Sequence, residues 1–202
     1  MMRIASTHDV PAIAALVNIA FQVEAFFKIG DRTSASEILE MMRTGEFLLF
    51  EDAAGLAGCV YVTTHPDGRA YFGMLSIEPS RQGQGFGRLL IEAAEARARE
   101  RGCRHMDIHI VNLRDELPPF YRKLGYVERG VLPFPDTERA SKPCHFVVMS
   151  KALAVLALLV CLAVPASAQQ TVRAVRTADT FEGKGRSHVK MRAILGTSFS
   201  SR

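Results

Sequence analysis

Two hydrophobic periodicities alternate along the first 150 residues. Between residues 11 and 21 apolar side chains recur every three or four positions, which predicts an amphipathic helix. Between residues 106 and 111 they alternate with polar side chains, which predicts a half-buried strand. The remaining segments predict further helices over residues 34–42 and 85–101 and before Gly125. They also predict strands over residues 3–5, 47–50, 56–64 and 70–77, a strand starting at Tyr126, and a last strand over 144–150. The order βααβββαβαββ is typical of an α/β fold with one mixed sheet.

A glycine-rich segment lies between the strand predicted to end near Ile77 and the helix that follows it. Its residues are Gln82, Gly83, Gln84, Gly85, Phe86, Gly87 and Arg88. The first amides of a helix are unpaired and its dipole is positive there, so such a junction attracts anions. Glycine lets a phosphate approach the backbone closely. The spacing G-x-G-x-G, followed by Arg88 and Leu89, matches neither a Walker loop nor a dinucleotide fingerprint. We therefore predict a pyrophosphate site of another class.

A second motif follows at residues 120–126, Phe-Tyr-Arg-Lys-Leu-Gly-Tyr. With the glycine segment it resembles the two signatures of the GNAT superfamily of acyltransferases. Gln82, Gly85 and Gly87 match the pattern Gln/Arg-x-x-Gly-x-Gly/Ala, and residues 120–126 match Phe-Tyr-x-Lys-x-Gly-Phe/Tyr. The resemblance covers about residues 1–153, which we predict to form one domain.

This resemblance implies a fold and an activity. The fold is a single mixed, mostly antiparallel sheet flanked by helices, in which the fourth and fifth strands splay apart and coenzyme A enters the wedge. The activity is N-acetyl transfer from acetyl-CoA, as co-substrate and without a metal, to a primary amine on a small molecule, a protein N-terminus or a lysine. Two alternatives stay open: a non-catalytic acyl-CoA-binding regulator on the same fold, and a membrane-associated interaction protein that depends on its tail.

The resemblance also implies which residues bind the co-substrate. The backbone from Gln82 to Arg88 would hold the pyrophosphate, and the Arg88 side chain would either add charge or be a solvated helix residue. Leu75, Ser76 and Ile77 would pair with the pantetheine arm mostly through backbone atoms, one amide facing the acyl carbonyl. Asn112, after the fifth strand, would contact the cofactor.

The same resemblance gives Tyr121 the role of protonating or steadying the departing thiolate, for which a phenol with a pKa near ~10 is a reasonable acid. The base for the amine stays open. Glu78 is a carboxylate at the end of the fourth strand. Glu24 lies among aromatic residues, where burial would raise its pKa, or it is an exposed helical glutamate. His65 and His109 are weaker candidates.

Three segments are expected at the acceptor side: residues 23–27, residues 30–33, and residues 132–136 as a rim. Their apolar and acidic composition suits a small amine better than a polyanion.

Charge is distributed unevenly along the 202 residues. Before Met149 there are 17 Lys/Arg and 19 Asp/Glu, and from Met149 onward there are 8 and 2. The nearly neutral first part excludes a nucleic-acid footprint there. The four cysteines are widely spaced, which favours buried thiols over a metal or redox site. The N-terminus carries no secretion signal, so we expect the domain to be cytoplasmic.

Residues 154–202 are expected to be a separate tail. From Met149 the sequence reads like an internal signal peptide: Lys151, a 13-residue apolar run Ala152–Val164, and Ala166-Ser167-Ala168. The run is short of the ~20 residues that span a membrane, and the basic segment beyond it predicts disorder. Three interpretations stay open: a fused reading frame, a helix docked on the domain, or membrane contact through residues 152–164.

Overall fold

The computed structural model of this chain describes residues 1–154, and the predictions on the tail beyond Ala154 lie outside the described residues. The strands are β1 Met2–Ile4, β2 Gly45–Asp52, β3 Gly55–Thr64, β4 Arg69–Ile77, β5 His105–Val111, β6 Val127–Pro133 and β7 His145–Ala152. The helices are α1 Val10–Ala20, α2 Ala35–Thr44, α3 Phe86–Glu100 and α4 Leu117–Lys123. This order is the one that the hydrophobic pattern predicts.

The strands form one seven-stranded sheet in the order β1-β2-β3-β4-β5-β7-β6. All neighbours are antiparallel except β4 and β5. These two parallel strands pair only where Arg69–Tyr71 face His105–Asp107. Beyond Tyr71 and Asp107 they diverge, although β4 continues to Ile77 and β5 to Val111. The expected splay between the fourth and fifth strands is thus confirmed.

Helices cover both faces of the sheet. On one face α1 and α2 pack Ile13, Val17 and Ile38 against Phe47 and Leu49 of β2. The other face carries α3 and α4, whose buried side chains (Leu90, Ile91, Ala94, Ala98 and Tyr121) meet Val60, Val62, Phe72, Met106, Ile108 and Met149. The alternation along β2 and β3 divides their side chains between the two cores. This rigid frame holds the diverging ends of β4 and β5.

Three local predictions differ from the structure. Glu24 ends a 3-10 turn, Phe21–Glu24, instead of lying within the α-helix. Strand β6 extends to Pro133, so the expected rim loop begins at Phe134 instead of residue 132. The last strand extends to Ala152 because Lys151 contacts Glu95 and Leu153 is buried.

Within residues 1–154, no helix combines the length and apolar character needed to cross a membrane. The same residues contain no group of three or more His, Cys, Asp or Glu side chains arranged to hold a metal ion.

Candidate active site

A cavity of about 320 Å³ opens where β4 and β5 diverge. Its walls come from the diverging strands, from α4, and from the loops after α1 and β5. The polar side chains that line it are Glu24, Arg32, Tyr71, Gln82, His109, Arg114 and Tyr121. The cavity thus brings together residues that the sequence separates by up to about half its length.

A β-bulge shapes the wall formed by β4. Cys59 faces Ser76 and Tyr61 faces Gly73, so Val60 alone stands opposite Met74 and Leu75. Met74 has φ 51°, a left-handed conformation that is rare for a residue with a side chain. Two residues opposite one leave part of the ladder unpaired and redirect the backbone. The bulge therefore turns the backbone of β4 at the cavity wall.

The structure separates the three residues predicted on β4. Leu75 and Ile77 line the cavity, whereas the Ser76 side chain is buried and donates a hydrogen bond to the Met74 carbonyl at 3.1 Å. Any contact of Ser76 with a co-substrate would therefore use its backbone, as expected. The role of these three residues in binding stays a prediction.

The glycine segment begins at Gln82, whose side chain lies at this cavity. Gln82 lines it, and its side-chain amide donates to the Ile77 carbonyl at 3.4 Å. Gly83 and Gly85 have φ of 78° and 85°, which only glycine adopts easily. Within the described residues, the backbone amides from Gly83 to Arg88 donate to no protein acceptor. Six free donors at a helix N-terminus fit a pyrophosphate group.

The position of the Arg88 side chain favours the second of its two alternatives, a solvated helix residue, over a charge added to the pyrophosphate site. Its guanidinium donates to Glu92 at 2.8 Å on the exposed surface of α3. In this arrangement it is a solvated helix residue in an i,i+4 pair.

Tyr121 is buried in α4 and lines the cavity. Its ring packs edge-on against Phe120 and Tyr126, with centroids 5.1 and 5.7 Å away. Burial raises the pKa of the Tyr121 phenol well above its usual value. The expected ordinary pKa is thus wrong: the phenol stays protonated throughout the neutral and mildly alkaline range, so it can donate but does not ionise.

Glu24 also lines the cavity and is buried, its side chain 7% exposed. Its Oε1 accepts from Arg114 Nη1 at 3.3 Å, and its Oε2 lies 3.7 Å from Arg32 Nη1. Burial raises the pKa of the Glu24 carboxyl, although Arg32 and Arg114 oppose that rise. The interpretation of Glu24 as an exposed helical residue is wrong.

The structure does not bring Glu78 or Asn112 into the cavity. Glu78 accepts a hydrogen bond from the Ser80 hydroxyl and lies 3.9 Å from Arg81, directly after the last residue of β4. The Asn112 side-chain oxygen accepts from the His145 amide at 2.8 Å, which fastens the end of β5 to β7. The side chains of Glu78 and Asn112 are therefore held by protein partners outside the cavity.

His109 faces the cavity from β5, whereas His65 lies exposed in the turn after β3. The His109 ring lies between Tyr71 and Phe146, with centroids 4.9 and 5.6 Å away. Burial lowers the pKa of the imidazole, against the opposing effect of Asp107. His109 is therefore neutral at pH 7 and able to accept a proton.

The acceptor-side segments are tied together. Lys28 Nζ contacts Asp136 Oδ2 at 2.5 Å, and the Ser141 amide donates to the Phe27 carbonyl at 2.7 Å. These contacts hold the loop before β7 against the loop after α1, beside Glu24.

Arg114 and Tyr71 are cavity residues that the sequence did not single out. Arg114 lies in a loop with no local pattern, 90 positions from the carboxylate it contacts. Only the fold brings these groups together.

Residues 43–128 match the family model described as an acetyltransferase (GNAT) domain. Over residues 43–128 the chain is therefore similar to GNAT acetyltransferase domains. Comparison with curated protein sequences gave no match. Solved structures of GNAT-type acetyltransferases share the fold at low identity.

The ribosomal-protein-S18-alanine N-acetyltransferase of Escherichia coli aligns with TM-score 0.62 and 15% identity over 76% of this chain and 94% of its own. The ribosomal-protein-alanine N-acetyltransferase of Brucella melitensis aligns with TM-score 0.62 and 21% identity over 76% and 99%. A GNAT superfamily phosphinothricin acetyltransferase of Sinorhizobium meliloti, solved in complex with AcCoA, aligns with TM-score 0.60 and 17% identity over 76% and 88%.

Proposed function

We propose that this protein is an N-acetyltransferase that moves the acetyl group of acetyl-CoA to the primary amine of a small molecule. One observation carries the proposal. A single cavity between β4 and β5 is lined by Gln82 of the glycine segment, by Glu24 and by Tyr121. The GNAT match and the neighbour solved with AcCoA support the donor.

The donor end is assigned to the glycine segment and β4. The amides of residues 83–88 would bind the pyrophosphate, and the backbone of Leu75 to Ile77 would align the pantetheine arm. An amide at the bulge would stabilise the negative charge that develops on the thioester oxygen. Such stabilisation often lowers the barrier to acyl transfer more than any other single effect.

Two side chains would handle the protons. The acceptor ammonium must lose two protons as its nitrogen forms the new C–N bond and the C–S bond breaks. Glu24, whose pKa burial raises, would take the first proton and pass it to solvent. Tyr121 would pass its proton to the departing thiolate as its oxygen takes the second proton from the reacting nitrogen, so that no free phenolate forms. The products are the N-acetyl amine and free CoA thiol.

The test is CoA release from acetyl-CoA against a panel of primary amines and peptides, with acetyl-CoA binding measured separately by calorimetry. The proposal predicts both binding and turnover. Binding without turnover on any acceptor would favour the non-catalytic regulator, and absence of acetyl-CoA binding would overturn the proposal.

A further inference from the structure

Two polar atoms at the acceptor end of the cavity are buried without a hydrogen-bond partner. They are Glu24 Oε2 and Arg32 Nε. Buried polar atoms are nearly always paired, so each exception requires an explanation. Both side chains line the same cavity. A polar ligand in the cavity would supply the partners that these two atoms lack.

Arg32 is the less engaged of the two cavity arginines. Arg114 donates to Glu116 at 2.6 Å as well as to Glu24. Within the described residues, the Arg32 side chain makes no hydrogen bond, and its nearest carboxylate oxygen is 3.7 Å away. Its guanidinium stacks on Phe21, with 4.8 Å from Cζ to the ring centroid. This stacking fixes the plane of the guanidinium, whose paired N–H donors match the two oxygens of a carboxylate.

The charged side chains that line the cavity also favour a ligand with an anionic group at Arg32. Glu24, Arg32 and Arg114 line the cavity, while the nearby Lys28 is paired with Asp136 outside it. Arg114 is shared between Glu24 and Glu116, so Arg32 is the guanidinium whose charge is least compensated by a close carboxylate. The acidic lining expected from composition therefore describes only part of the cavity lining. A ligand that brings an ammonium alone would leave Arg32 Nε without a hydrogen-bond partner.

We propose that the acceptor is a free α-amino acid, whose carboxylate binds Arg32 and whose amino group lies at Glu24 Oε2. The proposal rests on the proposed function and names its substrate class. Arg32 and Glu24 are only 3.7 Å apart, so they suit a carboxylate and an ammonium one carbon apart. A peptide N-terminus or a simple alkylamine has no such carboxylate. Phe21 and Val23 line the same end, which favours an apolar side chain.

The test compares ligands that differ by one group: L-leucine, L-leucinamide, isopentylamine and a leucyl-peptide. Calorimetry with the CoA-loaded protein measures binding, and CoA release from acetyl-CoA measures turnover. L-leucine should bind roughly 10- to 100-fold more tightly than the other three, the size expected for a charge-assisted contact.

Variants assign the effect to Arg32. Arg32→Gln should remove the preference for L-leucine and leave acetyl-CoA affinity unchanged, while Arg32→Lys should restore part of it. Arg43→Gln is the control, because Arg43 is exposed on α2 and pairs only with Glu40. Equal binding of L-leucine and isopentylamine would overturn the amino-acid assignment. Acetylation of isopentylamine or peptide alone would do the same but leave the acetyltransferase standing. Failure to bind acetyl-CoA would defeat the proposed function itself.

Discussion

Arg114 donates from Nη1 to Glu24 Oε1 at 3.3 Å, joining the loop after β5 to the turn after α1. The contact spans the cavity between the two halves of the sheet. It holds one Glu24 oxygen and leaves the other bare toward Arg32. Glu24 is thereby fixed in position while one oxygen stays available for a ligand.

Replacing Glu24 with glutamine tests its role as proton acceptor. Burial raises the pKa of Glu24 above its ordinary 4.5, so the wild-type kcat should fall as pH drops through that raised value, because the protonated form cannot accept a proton. We expect Glu24→Gln to lower kcat by roughly 10²- to 10⁴-fold and to remove that acid limb. The measurement is the pH profile of kcat at saturating acetyl-CoA.

His109 provides the matched control for that profile. Its pKa is lowered from 6.5, so it is already neutral at pH 7. His109→Asn should keep the acid limb if Glu24 is the base. If the fall in kcat at low pH persists in Glu24→Gln and disappears in His109→Asn, then His109 accepts the proton instead of Glu24.

Tyr121→Phe should retain acetyl-CoA affinity and lower kcat, because only the proton for the thiolate is removed. The ring packing against Phe72, Phe120 and Tyr126 does not need the hydroxyl. Steady-state kinetics and calorimetry on the same preparation check this. Wild-type turnover in the variant would make Tyr121 a packing residue.

Glu95 anchors the end of the sheet to α3. Its side chain is 4% exposed and accepts from Lys151 at 2.7 Å, Tyr126 at 3.0 Å and Arg99 at 3.1 Å. Glu95→Gln should cost about 1–3 kcal/mol in the free energy of unfolding, since it leaves buried donors poorly paired.

Glu92→Gln, nearly one turn earlier on the same helix, is the control for that substitution. Glu92 is 55% exposed and pairs only with Arg88, so its loss should cost less than about 1 kcal/mol. Urea unfolding of both variants gives the comparison. Equal destabilisation would contradict the role assigned to Glu95.

A chain ending at Leu153 should fold and keep its acetyl-CoA affinity. Leu153 is buried, and its amide donates to the Arg104 carbonyl at 2.8 Å, so the stop falls after these contacts. A chain ending at Val148 would lose Lys151 and Leu153 and should be clearly less stable. Thermal unfolding measures the stability of the two shortened chains, and calorimetry measures their affinity for acetyl-CoA. If the chain ending at Leu153 failed to fold or to bind acetyl-CoA, that failure would show that residues 154–202 belong to the enzyme.

The order of elements and the glycine segment were predictable because both are local. Periodicity identified β4, α3 and β5, and a strand–glycine–helix junction has a fixed chemistry wherever it occurs. The splay of β4 and β5 followed only from the resemblance. The bulge at Met74 had no sequence signal, because methionine is not a residue typical of positive φ.

The acceptor end was harder to predict because its chemistry depends on long-range contacts. The pKa of Glu24 is raised by burial and lowered in part by partners that include Arg114, a residue 90 positions away. The Glu78 carboxylate was an equally plausible base from sequence, yet local partners hold it outside the cavity, after the end of β4. Sequence composition could not choose between the two.

Calorimetric titration of acetyl-CoA into Gly85→Leu and Gly68→Leu tests the central claim, that the glycine segment binds the pyrophosphate. Both glycines have left-handed φ, 85° and 79°, and an added Cβ meets no atom within 4 Å at either. Both variants should therefore carry a similar strain of about 1–2 kcal/mol and remain folded. Only Gly85 lies in the segment whose amides are free. We predict that Gly85→Leu loses measurable acetyl-CoA binding while Gly68→Leu binds like the wild type. Wild-type affinity in a folded Gly85→Leu variant would contradict the account.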